Sequence, residues 1–237
     1  MEKKTSKYFI LILLSSVFLV TSPSFGQNNE DEKKTPAIVY PLYNGISIAT
    51  DLVGIGSKVL GSDFLTAEIS VEANLKNRFF PIVELGYGST NTWGDRETHY
   101  KGSAPFFKLG MNYNTMYKKD NKGYLYVGLR YAFSPLKYDV FTNDINGNPE
   151  LNDPIWKENA PAFNHKGLKG NMHWFELVCG VKVHIYKPIY MGWSVRMKRR
   201  LSSSSSEHGD PWFVPGFGTF GSSKWGITYS LIYQLPF

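Results

Sequence analysis

Between Leu201 and Asp210 the chain crowds five serines, Glu207, His208 and Asp210 into one short stretch. These are the residue types of a hydroxyl nucleophile, a general base and an orienting carboxylate, so Ser206, His208 and Asp210 are the candidates for acyl-transfer chemistry. The same composition also describes a solvated loop, and the loop is the better account. The other histidines are His99, His165, His173 and His184, and His173 next to Trp174 reads as an interfacial residue. Asp144-Ile145-Asn146-Gly147-Asn148-Pro149-Glu150 starts like a calcium loop. It then places Pro149 where the sixth-position glycine belongs and Ile155 where the closing glutamate belongs. A turn rich in Asn, Gly and Pro explains it better. With a lone Cys179 and no metal-ligand spacing, nothing calls for a metal or a cofactor.

A second set of reactive types is spread along the chain: Glu68, Glu72, Glu84, Lys108, Arg130, Glu176, Lys182, Arg196 and Lys198. Each sits in a segment whose apolar residues occupy the alternate positions. Four acids facing five bases in a narrow interior should pair, because unpaired buried charge is expensive. The first eight of these form the expected lumen ion-pair network. Lys198-Arg199-Arg200 is a run of three cations at a segment end, suited to clamping phosphate oxygens of a lipid.

The elements that must carry these residues have a period of two. Leu65, Ala67, Ile69, Val71, Ala73 and Leu75 alternate with Thr66, Glu68, Ser70, Glu72 and Asn74, and Trp225 to Phe237 repeats the pattern. Similar segments fall at about 45–53, 79–88, 104–115, 124–133, 173–186 and 189–198. The expectation is eight strands with short connections at 75–78, 118–123 and 187–188. Long loops are expected at about 89–103, 134–172 and 199–224. A bilayer-crossing strand needs about 9–11 residues, and short turns on one side with long loops on the other are the habit of outer-membrane barrels. The aromatic loop from Asp210 to Gly221 is expected to fold back over the mouth.

Alternation does not say which face is out, and a lipocalin-like soluble barrel would turn the apolar face inward. Five cations on a lipid face would cost about 2–4 kcal/mol each near the midplane, so the charged face is not the lipid face. Aromatics at segment ends (Tyr87, Phe107, Tyr113, Phe133, Trp225, Tyr233, Phe237) suit interfacial girdles, which favours the membrane over the soluble barrel. Tyr233-x-Leu235-x-Phe237 at the terminus resembles the assembly signal of bacterial outer-membrane barrels.

At the other end, residues 1–26 read as a secretory signal: Lys3, Lys4 and Lys7, an apolar run from Phe9 to Val20, then small residues at Ser24 and Gly26. Residues 27–44 form a polar leader and 45–237 the barrel. Cutting the signal lowers the formal charge from +6 to about +4, too modest for a nucleic-acid partner in an exported chain. A mean hydropathy of −0.26 is compatible with a membrane barrel, since only alternate residues need be apolar.

Pro41-Leu42-Tyr43-Asn44-Gly45, Asn74-Leu75-Lys76-Asn77-Arg78-Phe79-Phe80-Pro81, Leu125-Tyr126-Val127-Gly128-Leu129-Arg130-Tyr131, Met191-Gly192-Trp193-Ser194-Val195-Arg196 and Pro215-Gly216-Phe217-Gly218 resemble an uncharacterised family of exported Bacteroidota outer-membrane β-barrel proteins. That resemblance implies a fold and a location and no activity. The sequence is therefore read as an all-β, eight-stranded antiparallel up-and-down transmembrane β-barrel of the bacterial outer membrane. Its expected role is non-enzymatic, structural or surface-binding, with a closed lumen. The expected partners are outer-membrane lipid including lipopolysaccharide, the barrel-assembly machinery, and an envelope protein or glycan at the outer loops. The alternatives are a lipid A-modifying acyltransferase or deacylase, or a small gated pore.

Overall fold

The computed structural model describes residues 40–59, 61–94, 98–118, 123–142, 164–207 and 210–236. The signal segment, most of the polar leader, the calcium-like stretch 144–155, His208 and Phe237 lie outside them. Among the described residues the chain forms β1 (Tyr43–Asp51), α1 (Leu52–Val59), β2 (Phe64–Leu75), β3 (Phe79–Trp93), β4 (Thr98–Asn114), β5 (Gly123–Thr142), β6 (Asn164–Tyr186) and β7 (Ile189–Ser204). A two-stranded hairpin, β8 (Phe213–Val214) with β9 (Gly218–Thr219), and β10 (Ser223–Gln234) complete it. Eight of the strands pair antiparallel with their neighbours in an up-and-down order, and β10 returns to β1 to close a barrel.

The eight alternating segments coincide with the eight strands of the ring, but the strands are longer than the sequence suggests. β5 runs 20 residues and β6 runs 23. Residues 134–142 and 164–172, expected in one long loop, are the paired upper halves of these two strands. Residues 89–93 and 98–103 likewise continue β3 and β4, and 199–204 continue β7. The connection after β1, expected as a short one around Gly54 to Asp63, contains α1, an eight-residue helix that the alternation does not announce.

In β4, β5 and β6 the reason lies in a reversal of polarity along the strand. In the lower part of β5 the outward residues are Leu125, Val127, Leu129 and Tyr131, and the inward ones include Arg130. Above Phe133 the outward positions hold Pro135, Lys137 and Asp139, while Leu136, Tyr138 and Val140 are buried inside. β4 reverses between Phe106 and Phe107, with His99, Lys101 and Ser103 outward above and Leu109 and Met111 outward below. β6 reverses between Trp174 and Phe175. Phe107 pairs with Phe133, and Phe133 with His173, so the reversal follows one line across three neighbouring strands. Each of these three strands keeps its geometric alternation and swaps which phase is apolar, so a search for one continuous pattern ends at that line.

Glycines on the inner wall make room for the large side chains there. The ring of Phe106 lies between one such glycine and one of the hairpin turn: a Cβ on Gly86 would come within 2.0 Å of it, and one on Gly216, whose φ is +78°, within 2.7 Å. Phe106 is buried on both sides and cannot swing aside. Gly86→Val is therefore expected to lower stability by about 1–3 kcal/mol through overpacking, whereas Gly56→Ala in α1, which meets open space, should be neutral or slightly stabilising. Urea midpoints of the two variants check this, and equal midpoints would contradict the packing described.

Candidate functional site

The interior of the ring divides into three layers, each made by the inward positions of the strands. The uppermost, at the loop end, is apolar. Phe106, Ala132, Leu136, Tyr138, Val140, Leu168, Met172 and Trp174 face inward, and Val214 and Phe217 of the β8–β9 hairpin insert among them. The hairpin thus plugs this end, as the aromatic composition of the last loop suggests. Phe217 meets Trp174 edge-on at 5.7 Å, and Phe64 stacks on Trp212 at 5.3 Å and on Phe213 at 4.8 Å.

Beneath the plug lies a charge network supplied by six different strands. Glu84 is its centre: it accepts from Arg196 Nη1 at 2.7 Å and from Arg130 Nε at 3.0 Å, with Lys108 Nζ at 3.4 Å. Lys108 also meets Glu68 at 2.6 Å and Glu176 at 3.4 Å. Arg196 reaches Glu68 and Glu176, each at 3.2 Å. A second pair, Lys182 with Glu72, lies lower. Asn112 joins the two groups, accepting from Arg130 Nη2 at 2.7 Å and donating to Glu72 Oε2 at 2.6 Å. All eight residues expected in the lumen network are therefore paired within it, and all eight are buried. A polar cavity of about 30 Å³ lies beside Glu72, Glu84, Arg130 and Arg196, room for about one water.

Two members of this layer have no charge to betray them in the sequence. Asn112 is one, and its inward phase on β4 was the only signal. Trp174 is the other: its indole Nε1 donates to Glu176 Oε1 at 2.8 Å, which ties the apolar plug to the ion pairs. Lys108 does the same from below, its Nζ lying 5.1 Å from the centre of the Phe106 ring.

The three-cation run needs correction. Lys198 faces inward, like Arg196 two residues earlier, and its Nζ donates to the carbonyls of Gly216 at 2.7 Å and Phe217 at 3.4 Å. The hairpin turn would otherwise leave those carbonyls buried without donors, so Lys198 holds the plug instead of a lipid phosphate. A bulge at Leu201, where Arg200 pairs with Trp174 and Ser202 with His173, leaves Arg200 stacked over Phe220 at 4.7 Å. Of the three, Arg199 alone is exposed, on the outer face beside Phe175, its partner in β6.

The proposed catalytic types are not assembled among the described residues. Asp210 accepts from Ser205 Oγ at 2.5 Å, and the backbone N–H of Ser206 donates to the Tyr138 hydroxyl at 3.4 Å, while His208 is outside the description. His173 is on the outer wall with its Nδ1 2.7 Å from the Tyr131 hydroxyl. Of the terminal pattern, Tyr233 is exposed on the outer face and Leu235 N donates to Ile46 O.

The third layer is open. At the end of the short turns the ring widens into a vestibule of about 510 Å³, floored by Lys182 and walled by Phe80, Tyr124, Tyr190, His184 and the amides of Asn74, Asn77, Asn114 and Gln234. No sequence pattern pointed to it, because its residues come from the two ends of the ring-forming chain and from the flanks of three turns.

Residues 5–237 match the family described as a domain of unknown function, DUF6048, and the chain belongs to that family. No curated protein and no solved structure matches it.

Proposed function

We propose that this member of the DUF6048 family is an integral outer-membrane barrel of a Bacteroidota cell, exported by its signal segment, with a closed lumen and a non-enzymatic, structural or surface-binding role. The observation that carries the reading is the reversal line. Below it the outer wall is a continuous apolar belt (Ile69, Val71, Val83, Leu85, Leu109, Leu129, Leu177, Ile227), all of it exposed. Above it, on β4, β5 and β6, the same wall is polar and the apolar residues turn inward. A protein in one solvent has no cause to exchange its faces halfway along a strand; one that passes from lipid into water does.

The belt has the right height. Phe79 to Tyr87 on β3 and Trp225 to Tyr233 on β10 bracket it with aromatics at both ends. Eight residues of strand span about 27 Å, or about 21 Å at a tilt of about 40°, against an apolar band of about 25 Å in such barrels. Exposed apolar area on this scale also exceeds what a soluble monomer ordinarily carries.

Lumen closure is supported by the buried ion pairs and the hairpin above them, which among the described residues leave the wide vestibule at one end. Partners consistent with this surface are lipopolysaccharide, with Arg199 positioned for a lipid phosphate, and an envelope protein or glycan at the loop end. The terminal Tyr233-x-Leu235-x-Phe237 pattern suits recognition by the assembly machinery.

Carbonate-washed envelopes and gel migration test the reading. The protein should stay with the outer membrane and should run at different positions before and after heating in detergent. Release as a soluble periplasmic protein with identical migration would sink it. Mass spectrometry of lipid A from cells with and without the gene tests the non-enzymatic role: the expected spectra are identical, and a gained or lost acyl chain would put a lipid A-modifying enzyme in its place.

A further inference from the structure

We infer that the vestibule at the turn end is a binding site for a short neutral saccharide. The inference does not rest on the membrane reading, since the vestibule is a feature of the ring's interior.

Its volume, about 510 Å³, falls within the range of about 300–1,000 Å³ typical of ligand sites. The charge on its floor is already spent: Lys182 pairs with Glu72 and lies over the rings of Phe80, Tyr124 and Tyr126 at 5.4–5.8 Å, while the second lining cation, Lys187, is an exposed residue of the β6–β7 turn at the rim. An ionic ligand seated on the floor would have to displace the Lys182–Glu72 pair.

The remaining wall is aromatic and amide. Phe80 and Tyr124 stack at 5.5 Å, and Tyr190 packs against His184 at 4.8 Å, giving flat apolar surfaces beside hydrogen-bonding edges. His184 Nε2 is buried without a partner among the described residues. Such a nitrogen costs free energy until something bonds it. The amide of Asn114 is committed: it donates to Asn77 O at 2.9 Å and accepts from Met116 N at 2.8 Å. Asn74 Oδ1 is held by Asn77 N at 2.8 Å, which leaves its NH₂ as a donor with fixed direction. Gln234 contributes an amide bearing both a donor and an acceptor.

A pyranose presents an apolar face of C–H groups and a rim of hydroxyls, and an acetamido sugar adds an amide. That is the complement of rings set beside amides and imidazole. The mouth lies at the end where Tyr40 and Asn44 bring the chain into the ring, and both line it.

The test uses the mature chain, residues 27–237, folded in detergent. Saturation-transfer NMR would follow N,N′-diacetylchitobiose and maltose. Saturable binding of either is expected, weakened at least tenfold by Tyr190→Ala and by Gln234→Leu and unchanged by Ser103→Ala on the outer wall of β4. His184→Leu supplies a third probe should Tyr190→Ala not fold, and should weaken binding likewise. Absence of saturable binding to both sugars would overturn the inference, as would binding that the vestibule variants leave intact. If a chain beginning at Ile38 binds while the mature chain does not, the inference also fails, and the leader becomes the occupant of the vestibule.

Discussion

Replacing Glu84 with leucine is expected to destabilise the protein by about 3–5 kcal/mol, the cost of leaving buried partners uncompensated. Among the described residues, Glu84 is the one acid in contact with Lys108, Arg130 and Arg196 together. Without it, three carboxylates would face the same five inward cations, including Lys198, and Arg130 would keep only neutral acceptors. No compensating charge can move in from above, because the Phe106 and Trp174 rings close that layer. The measurement is the urea midpoint of the folded protein in lipid vesicles, with Glu207→Leu on the exposed loop as the control, expected within about 0.5 kcal/mol. The double variant Glu84→Leu with Arg196→Met should recover part of the loss, since it removes one of the stranded charges. A Glu84→Leu effect below about 1 kcal/mol, the scale of exposed ion pairs, would mean that the lumen is hydrated enough to screen its charges and is not closed.

The second large effect separates lipid from water at a single wall. Leu109 is 52 % exposed on the outer face of β4 below the reversal line, and Ser103, six residues away on the same face, is exposed above it. In a water-bathed ring, arginine at either position would be tolerated within about 0.5 kcal/mol. In a bilayer, Leu109→Arg should cost about 2–4 kcal/mol, because the guanidinium must be held near the midplane, while Ser103→Arg remains neutral. Refolding yield and urea midpoints in vesicles read both variants directly. Equal behaviour of the two would remove the membrane boundary from this line and with it the main support for the proposed location.

How far the sequence could be read depends on where its signals are local. Strand alternation is a property of neighbouring residues, so the eight segments and the inward phase of Glu68, Glu84, Lys108, Arg130 and Arg196 follow from it without any tertiary information. The upper halves of β4, β5 and β6 did not follow. Their alternation is as regular, but apolar and polar exchange faces at Phe107, Phe133 and Trp174, and a local pattern that changes sign looks like an ending. The exchange could have been found by following the geometric phase through the change.

Lys198 shows a different limit. Its place in the alternation puts it inside with Arg196, whereas its place in a basic run suggests a surface cluster, and only the hairpin carbonyls that it bonds decide between them. The hairpin itself is signalled by composition alone: Pro, Gly and aromatics between Asp210 and Gly221 mark a segment that must bury something, without saying where.

From the sequence alone come the all-β class, the strand number, the antiparallel up-and-down order and the charged inner face, because each rests on chemistry within one strand or on the lengths between strands. The tertiary structure decided the rest: which acid meets which base, the plug, the line where the faces exchange, and the vestibule. These are products of register. The contact of Glu84 with Arg196 joins residues 112 positions apart, and no spacing along a chain encodes a distance across a closed ring.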